Sequence, residues 1–393
     1  MNTGRRSFIK KATAGVAGLA LSNGINAMSA KSYNNIIGAN DRINLAIQGL
    51  GRRYPAFIES IVKKENNVRL LYLCDVLQSQ REKALLKFKE KADYNPKLEV
   101  DIRRVLEDKK VDAVFMATPD HWHTPGACMG MQAGKHIYLE KPCSHNPKEN
   151  ELVVAFQEKY NKVVQMGNQQ RSSFHTQQII KEIHNGVIGD VYKAIAFYTN
   201  KRGRVPNPKQ AAIPEGLDWD LFQGPSPRKE YMSHTWNYNW HWYGWDFGTA
   251  EMGNNATHEL DIARWAMDVK YPEYVDVISG KHQFKDDGWE MYDTMEATFK
   301  FSNNRVIQWD GTSRNGYNKY GKGRGTIIYG SEGSVFIEKE LSLKQINLRA
   351  MKAVLHLEAV GIYPLCTRKT FLKPLEENNN LILQFSKALF HKC

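Results

Sequence analysis

The sequence predicts an α/β protein of two domains: a doubly wound parallel sheet, then an α+β domain with a large, mostly antiparallel open sheet. From residue 43, short apolar runs alternate with helix-like segments, which is typical of a parallel sheet with helices on both faces. Beyond residue 163 the runs are longer and alternate between apolar and polar residues, which favours antiparallel strands. With 393 residues, the chain is long enough for two hydrophobic cores.

The elements of both domains follow from these patterns. The first domain, residues 43–162, takes its strands from INLAIQG, VRLLYLCD, VDAVFMATP and HIYLEKP, and its helices from RRYPAFIESIVKK, QSQREKALLKFKEKA, DIRRVLEDKK and ACMGMQAGK. The second domain, residues 163–340, takes its strands from VVQMG, VYKAIAFYTN, MYDTMEATFKF, RVIQWDGTS and GTIIYGSEGSVFIE. It also contains an aromatic-rich insertion from Trp219 to Phe247, followed by the predicted helix THELDIARWAM.

The N-terminal segment, residues 1–30, is predicted to be a signal peptide, with a linker over residues 31–42. Four basic residues precede an apolar run, residues 12–21, that is too short to span a bilayer. Arg5 and Arg6, followed by SFIK, resemble the twin-arginine signal, whose machinery exports folded proteins. We therefore expect a periplasmic or otherwise exported protein; two neighbouring arginines arising by coincidence is the alternative.

Charge and cysteine content exclude several classes of function. Of the net charge of +12, the first thirty residues and residues 341–393 contribute +9, so the body of the chain carries only +3. Without a stripe of interleaved basic and aromatic residues, this balance argues against nucleic-acid binding. The five cysteines show no paired spacing, so neither a disulfide framework nor a zinc or iron–sulfur site is predicted.

The turn after the first strand carries part of a dinucleotide-binding fingerprint. Gly49 and Gly51 stand where a tight turn and a close approach to pyrophosphate require glycine, whereas Tyr54 occupies the place of the third glycine. Asp75 ends the second strand, near the separation expected for a carboxylate that binds the adenosine ribose. A plain strand-to-helix turn and an exposed strand-end aspartate are the alternative interpretation.

Together these residues predict a Rossmann domain that binds a nicotinamide dinucleotide. A carboxylate at Asp75 repels a 2′-phosphate, which favours NAD over NADP. The neighbouring Arg52 and Arg53 keep NADP open, because either guanidinium can bind that phosphate.

Further along, the segment EKP at Glu140 to Pro142 ends a strand of this domain. It is preceded by ATPDHWHTP and followed by GNNATHELDIARW in a mainly β domain. Two further segments of the same pattern are LDWDLFQGPSP and GSEGSVFIE. Over residues 43–338 the chain resembles the Gfo/Idh/MocA family of sugar oxidoreductases, which includes glucose-fructose oxidoreductase and inositol dehydrogenase. A lone salt bridge between Glu140 and Lys141 is the alternative interpretation of EKP.

The resemblance implies roles for particular residues. Lys141 lies beside the nicotinamide and the reacting hydroxyl, where an ammonium stabilises a nascent alkoxide. His258 relays the proton, the alternative being a helix-start histidine bonded to neighbouring backbone. Asn254 stands where the family has an aspartate, so it positions substrate without exchanging a proton. The remaining contacts with the cofactor are implied for Thr118, Pro119, Trp122, His123, Glu140 and Asn168.

The substrate side is predicted from Arg171 and from the insertion HTWNYNWHWYGWDFG. Trp240, His241 and Trp242 combine aromatic faces, which stack on sugar rings, with polar groups for hydroxyls. Packing within the same domain or against a partner subunit is an equal alternative. Neither the spacing nor a companion carboxylate supports a metal site at His121, His123 and His258.

The tail, residues 341–393, shows no family pattern. Read in a frame displaced by one base, codons permitted by the residues from Met351 give a peptide that resembles an ordinary C-terminal segment of the family. The hypothesis is a frameshift, real or introduced in sequencing, a little upstream of Met351. It would remove a final helix and part of the substrate wall, and so put the activity of this chain in doubt.

The sequence therefore predicts an exported oxidoreductase that transfers a hydride between a tightly bound NAD, or NADP, and a sugar, sugar acid, cyclitol or glycoside. Its expected partners are that carbohydrate-like molecule, the twin-arginine export machinery and further copies of itself through the C-terminal sheet. A redox-neutral, NAD-dependent glycosidase and a non-catalytic sugar- or nucleotide-binding protein are the two alternatives.

Overall fold

The structure, a computed structural model, describes residues 42–338 and the strand Ile346–Leu348. The predicted signal segment, the linker up to residue 41 and most of the anomalous tail lie outside the described residues. No helix in the described part of the chain is long and apolar enough to cross a membrane.

The first sheet is parallel and has the strand order β3-β2-β1-β4-β5-β6. Its order reverses between β1 and β4, where the carboxyl ends of both strands border a crevice; ligands of such sheets bind there. The strands are β1 Ile43–Gln48, β2 Val68–Cys74, β3 Lys97–Glu99, β4 Ala113–Met116, β5 His136–Leu139 and β6 Val164–Met166.

Helices cover both faces of this sheet because successive strand residues point to opposite sides. Leu45 and Ile47 join one buried cluster, and Ala46 between them joins the other. The helices of this half are α1 Pro55–Val62, α2 Gln78–Lys89, α3 Ile102–Glu107, α4 His123–Gln132 and α5 Pro147–Tyr160.

The second sheet is mixed and mostly antiparallel, in the order β13-β12-β11-β7-β10-β9-β8, with β7 and β10 paired in parallel. Helix α8 packs on it: Ile262 and Ala263 join the core that contains Ile307 and Ile328. The strands are β7 Val191–Thr199, β8 Tyr274–Gly280, β9 Thr294–Lys300, β10 Val306–Thr312, β11 Arg324–Gly330, β12 Gly333–Ile337 and β13 Ile346–Leu348; the helices are α6 Phe174–His184, α7 Trp219–Gln223 and α8 Thr257–Met267.

The predicted fold class is confirmed, with one correction at the junction of the two sheets. The segment VVQMG was expected to begin the antiparallel domain. Its residues Val164–Met166 instead form β6, which pairs in parallel with β5 at the edge of the first sheet. Val164 is buried in the core of that sheet, which agrees with this pairing.

Candidate functional site

The glycine turn after β1 is fixed by close contacts that only glycine allows. Gly49 has a φ of +87°, and a Cβ there would lie 2.5 Å from the carbonyl oxygen of Ala117. Asp75 holds the turn from the other side, since its carboxylate accepts hydrogen bonds from the amides of Leu50 at 2.7 Å and Leu77 at 2.9 Å. Around Gly51 the space is open, so the backbone there faces the crevice.

Asp75 keeps acceptor capacity beyond these two bonds. Burial raises the pKa of its carboxyl, and the amides of Leu50 and Leu77 and the nearby Arg81 oppose that rise. A carboxylate offers about four lone-pair sites, of which the two amides use two. The remaining sites can accept the hydroxyls of a ribose.

Tyr54 explains how the turn works without the third glycine. Its side chain is 1% exposed and belongs to the core between the sheet and its helices. Its hydroxyl donates to the carbonyl of Ala84 in α2 at 2.9 Å. The aromatic ring therefore joins α1 to α2, and the close helix–strand packing that the glycine usually permits is not required.

The two arginines of the turn engage different partners. Arg53 donates from Nε to Oε1 of Glu140 at 2.6 Å, and the Tyr138 hydroxyl donates to the same oxygen at 3.1 Å. The guanidinium of Arg52 lies 4.4 Å from the ring centre of Tyr238, a residue of the aromatic insertion. Arg52, Arg53, Glu140 and Tyr238 all line the crevice, and Arg52 links its two walls.

The segment after β4 connects the first domain to the second. His123 is 1% exposed and places its two ring nitrogens 2.9 Å from the Thr118 carbonyl and 2.5 Å from the Pro142 carbonyl. The indole nitrogen of Trp122 donates to the carbonyl of Phe222 in α7 at 3.0 Å. This segment thus ties the ends of β4 and β5 together and secures the insertion against them.

Lys141 is held by backbone carbonyls of a π-helical turn, Met252–Ala256, that precedes α8. Its ammonium donates to the Asn254 carbonyl at 2.6 Å, and the Gly253 carbonyl and the Asn254 side-chain oxygen lie at 3.5 Å. The alternative of a salt bridge to Glu140 does not apply, because Arg53 takes that carboxylate. Burial lowers the pKa of Lys141, and Asp120, Glu140 and Glu251 oppose this.

The π-helical turn approaches the EKP segment closely at one glycine. A Cβ on Gly253 would lie 2.8 Å from Cγ of Pro142 and inside the Thr249 side chain. Thr257 donates from its hydroxyl to the carbonyls of Met252 and Gly253, at 3.0 and 3.2 Å. These contacts leave the Asn254 carbonyl directed at Lys141.

Some side chains of the aromatic insertion line the crevice, and others are buried in the core. Trp240 and His241 line the crevice, and their rings stack with centroids 3.5 Å apart. Trp242 is 2% exposed and stacks on Trp289 with the ring centroids 4.0 Å apart. It therefore packs within its own domain, which is the alternative to a role in sugar binding. His241 places Nδ1 2.7 Å from the Tyr238 carbonyl, and burial lowers its pKa to about 4.

Four other residues predicted for the site are not among the residues that line the crevice. Arg171 makes a bidentate ion pair with Asp261, with both distances 2.7 Å, so its guanidinium is engaged inside the second domain. His258 on α8 is 8% exposed, and Asn168 is buried with its side-chain oxygen unpartnered. Neither of these two side chains, nor Arg171 or Trp242, lines the crevice in the described structure.

Asp120 is a residue of the crevice that was not predicted from the sequence. Its carboxylate is 3% exposed, lines the crevice, and accepts from the backbone amide of Thr249 at 3.0 Å and from its hydroxyl at 2.5 Å. It also opposes the effect of burial on the pKa of both Lys141 and His241. An acidic residue directly before the HWH segment was the available signal.

The crevice has the volume and the polar groups that a nicotinamide dinucleotide requires. Its volume is about 690 Å³, within the range of cofactor and ligand pockets. Two buried oxygens on its wall, Oε1 of Gln48 and Oγ1 of Thr118, have no hydrogen-bond partner, which leaves them for a ligand. Gly49, Gly51 and Asp75 lie on the same wall, so the residues present fit the cofactor.

Two family models match the chain, and together they cover more than half of it. The oxidoreductase family with an NAD-binding Rossmann fold, GFO_IDH_MocA, matches residues 43–168, and the GFO/IDH/MocA C-terminal domain matches residues 221–336.

Among curated proteins, a glycosyl hydrolase family 109 protein of Shewanella baltica is 26% identical over 215 residues, which are 51% of this chain and 47% of that protein. A D-glucoside 3-dehydrogenase of Escherichia coli is 26% identical over 154 residues, 39% of this chain and 42% of that protein. The chain thus matches about half of the length of these relatives, or less.

Among solved structures, the WlbA dehydrogenase from Bordetella pertussis, in complex with NADH and UDP-GlcNAcA, is 18% identical with a TM-score of 0.59. The likeness covers 78% of this chain and 80% of that one. At this identity it shows a common fold.

Proposed function

We propose that this chain, which contains the NAD-binding and C-terminal domains of the GFO/IDH/MocA oxidoreductase family, transfers a hydride between NAD, or NADP, and a carbohydrate. The substrate is a sugar, sugar acid, cyclitol or glycoside. One observation carries the proposal: a single crevice brings together the glycine turn, Lys141 and the Trp240–His241 pair. The dinucleotide, when bound, supplies the hydride acceptor or donor.

The residues around the crevice can bind and orient both molecules. Gly51 exposes its backbone where a pyrophosphate would rest, and Asp75 offers acceptors to a ribose. Lys141, anchored by the Asn254 carbonyl, can donate a hydrogen bond to the reacting oxygen. Trp240 presents an aromatic face to a sugar ring.

The test is to identify the nucleotide and then reduce it in place. The purified full chain is denatured, the released nucleotide is identified by mass, and intact protein is mixed with a panel of sugars and methyl glycosides while absorbance at 340 nm is followed. Lys141→Met should keep the nucleotide but lower the rate by about 100-fold or more. Lys148→Met, at an exposed helix position, is the matched control and should change nothing.

Undiminished reduction by Lys141→Met would refute the role of Lys141. Stabilisation of the wild-type protein by a sugar, with no change at 340 nm and no product, would instead favour a non-catalytic binding protein.

A redox-neutral glycosidase is the second candidate, because several of the relatives carry the name glycosyl hydrolase family 109. Such an enzyme oxidises its substrate, eliminates the aglycone, adds water to the unsaturated intermediate and reduces the product again, so NAD returns to its starting state. Release of free sugar from an aryl glycoside without net NADH would favour it over the dehydrogenase.

We further propose that the protein is exported by the twin-arginine machinery with its cofactor already bound. Outside the cytoplasm there is no free dinucleotide pool, so the cofactor must be retained and regenerated in place. The Arg52–Tyr238 contact across the crevice supports retention. Loss of the nucleotide on simple dialysis of the mature protein would contradict this proposal.

We also propose that copies of the chain associate through the C-terminal sheet. Strand β8 lies at an edge of that sheet and exposes large side chains, including Val277 at 48% and Ile278 at 72%. Light scattering should report an oligomer that Ile278→Lys dissociates; a monomeric wild-type protein would contradict association.

A further inference from the structure

The proton acceptor of the site is not obvious from the family pattern, because the pattern is altered in two ways. Asn254 cannot exchange a proton, and His258 does not line the crevice. Lys141 does line it, but its ammonium is committed as a donor to the Asn254 carbonyl at 2.6 Å. A hydroxyl that loses its hydrogen in this crevice therefore needs another base.

His241 has the geometry of such a base. Its Nδ1 lies 2.7 Å from the Tyr238 carbonyl, an acceptor, so Nδ1 carries the hydrogen in the neutral ring. Nε2 is then the bare nitrogen, and no described residue provides a hydrogen bond to it. The stacked ring of Trp240 and the contact of Nδ1 with the Tyr238 carbonyl hold the imidazole in place.

The charges around His241 suit a base that becomes a cation. Burial keeps the ring neutral at pH 7, and Lys141 and Arg202 also lower its pKa. Asp120 acts in the opposite direction and would stabilise the imidazolium as it forms. The same carboxylate acts on Lys141, so Asp120 is near both groups that face the substrate.

We propose that Nε2 of His241 accepts the proton of the substrate hydroxyl while Lys141 donates a hydrogen bond to the same oxygen; this rests on the function proposed above. The substrate O–H bond breaks as the Nε2–H bond forms. The neighbouring C–H bond breaks with both electrons leaving as hydride to oxidised NAD, and a carbonyl remains. The substrate loses two electrons, NAD gains them, and the proton is held on His241.

The first test does not depend on activity. In the full chain labelled with ¹⁵N-histidine, the His241 signals are assigned by their loss in His241→Gln and, as a second variant, His241→Asn. At pH 7 we expect the Nδ1–H tautomer with a bare Nε2 that stays unprotonated down to about pH 5. An Nε2–H tautomer, or protonation already near pH 6.5, would overturn the assignment whether or not the protein is an enzyme.

The second test compares histidines by the rate at which the bound nucleotide is reduced by the sugar panel. His241→Gln should lower this rate by about 100-fold or more and remove its fall at acid pH, with the nucleotide still bound. His282→Gln, at an exposed position between β8 and β9, is the control and should leave the rate unchanged. A loss of this rate in His258→Gln but not in His241→Gln would overturn the proposal. A wild-type protein that reduces no nucleotide would refute the proposed function, and the tautomer of His241 would then decide the assignment of its ring nitrogens.

Discussion

The two walls of the crevice are built in different ways. On the wall from the first domain, the part expected to hold the cofactor is the backbone of the glycine turn with Asp75 beside it, and Gly49 and Asp75 are fixed by contacts that tolerate little change. The opposite wall consists of Trp240, His241 and Tyr238, large side chains from a segment with little regular structure. A backbone wall suits a cofactor that many enzymes share, and a side-chain wall can vary with the substrate. The following variants test whether this division is real.

The largest effect is expected from substituting Trp240 and Trp242 one at a time. Trp242→Ala should reduce the free energy of unfolding by about 3 to 5 kcal/mol, because it removes a buried ring stacked on Trp289. Trp240→Ala should cost much less stability but weaken sugar binding. Urea unfolding and sugar titration of both variants check this. Equal stability losses would contradict the assignment of one ring to the core and the other to the site.

The backbone wall can be tested with two glycines of the same turn. Gly49→Ala should destabilise the protein by about 3 kcal/mol, since its Cβ would meet the Ala117 carbonyl and its φ is positive. Gly51→Ala should fold normally, because no atom lies within 4 Å of its Cβ, yet bind less nucleotide. Measurements of unfolding and of bound nucleotide separate the two outcomes. A stable Gly49→Ala protein would contradict the described turn.

Acid should destabilise both domains through buried histidines. Burial lowers the pKa of His121, His136 and His241 from the ordinary 6.5 to about 4. Between these two pH values the unfolded chain therefore binds more protons than the folded protein does. The histidines contribute their full stabilisation above about pH 6.5, and the free energy of unfolding falls as the pH approaches about 4. Thermal unfolding from pH 7 to pH 4.5 should show a falling midpoint.

His136 offers a control for the acid effect. Its Nδ1 accepts a hydrogen bond from the Val163 amide at 3.0 Å, so protonation there would break a backbone contact. His136→Asn keeps an acceptor without titrating, and should flatten the dependence on pH. An unchanged slope would show that His136 does not contribute.

The smallest effect is expected at the contact that joins the walls. Arg52→Met should speed nucleotide dissociation by about two- to fivefold, the loss expected for one exposed cation–π contact. Arg52→Lys keeps the positive charge, so its dissociation rate should lie between those of the wild-type protein and Arg52→Met. A stopped-flow measurement with excess competing nucleotide gives the rates. Identical rates for all three proteins would remove Arg52 from the account of cofactor retention.

Much of the cofactor wall could be predicted because its signals are local. Gly49, Gly51 and Asp75 stand at recognisable positions around β1 and β2, and the apolar periods locate the strands and helix α8. The short β6 was placed in the wrong sheet because three residues carry too little pattern to show which neighbour they pair with.

The substrate wall could be predicted only in outline. Trp240, His241 and Trp242 are consecutive, and nothing in their order reveals which rings enter the crevice and which enters the core. The π-helical turn before α8 depends on its contacts with Lys141 and Pro142, residues more than a hundred positions away. Asp120 was passed over because its role arises from its position between elements of both domains.

The most direct test of hydride transfer at this crevice follows one hydrogen. The purified protein is incubated in water with glucose, N-acetylgalactosamine, methyl glucoside and myo-inositol, each deuterated at the ring carbons, and the nucleotide is then released and weighed. We expect one deuterium on the nucleotide with at least one of these substrates, and labelling at least about 100-fold slower with Lys141→Met. A wild-type protein whose nucleotide never gains the label from any of them would contradict the account.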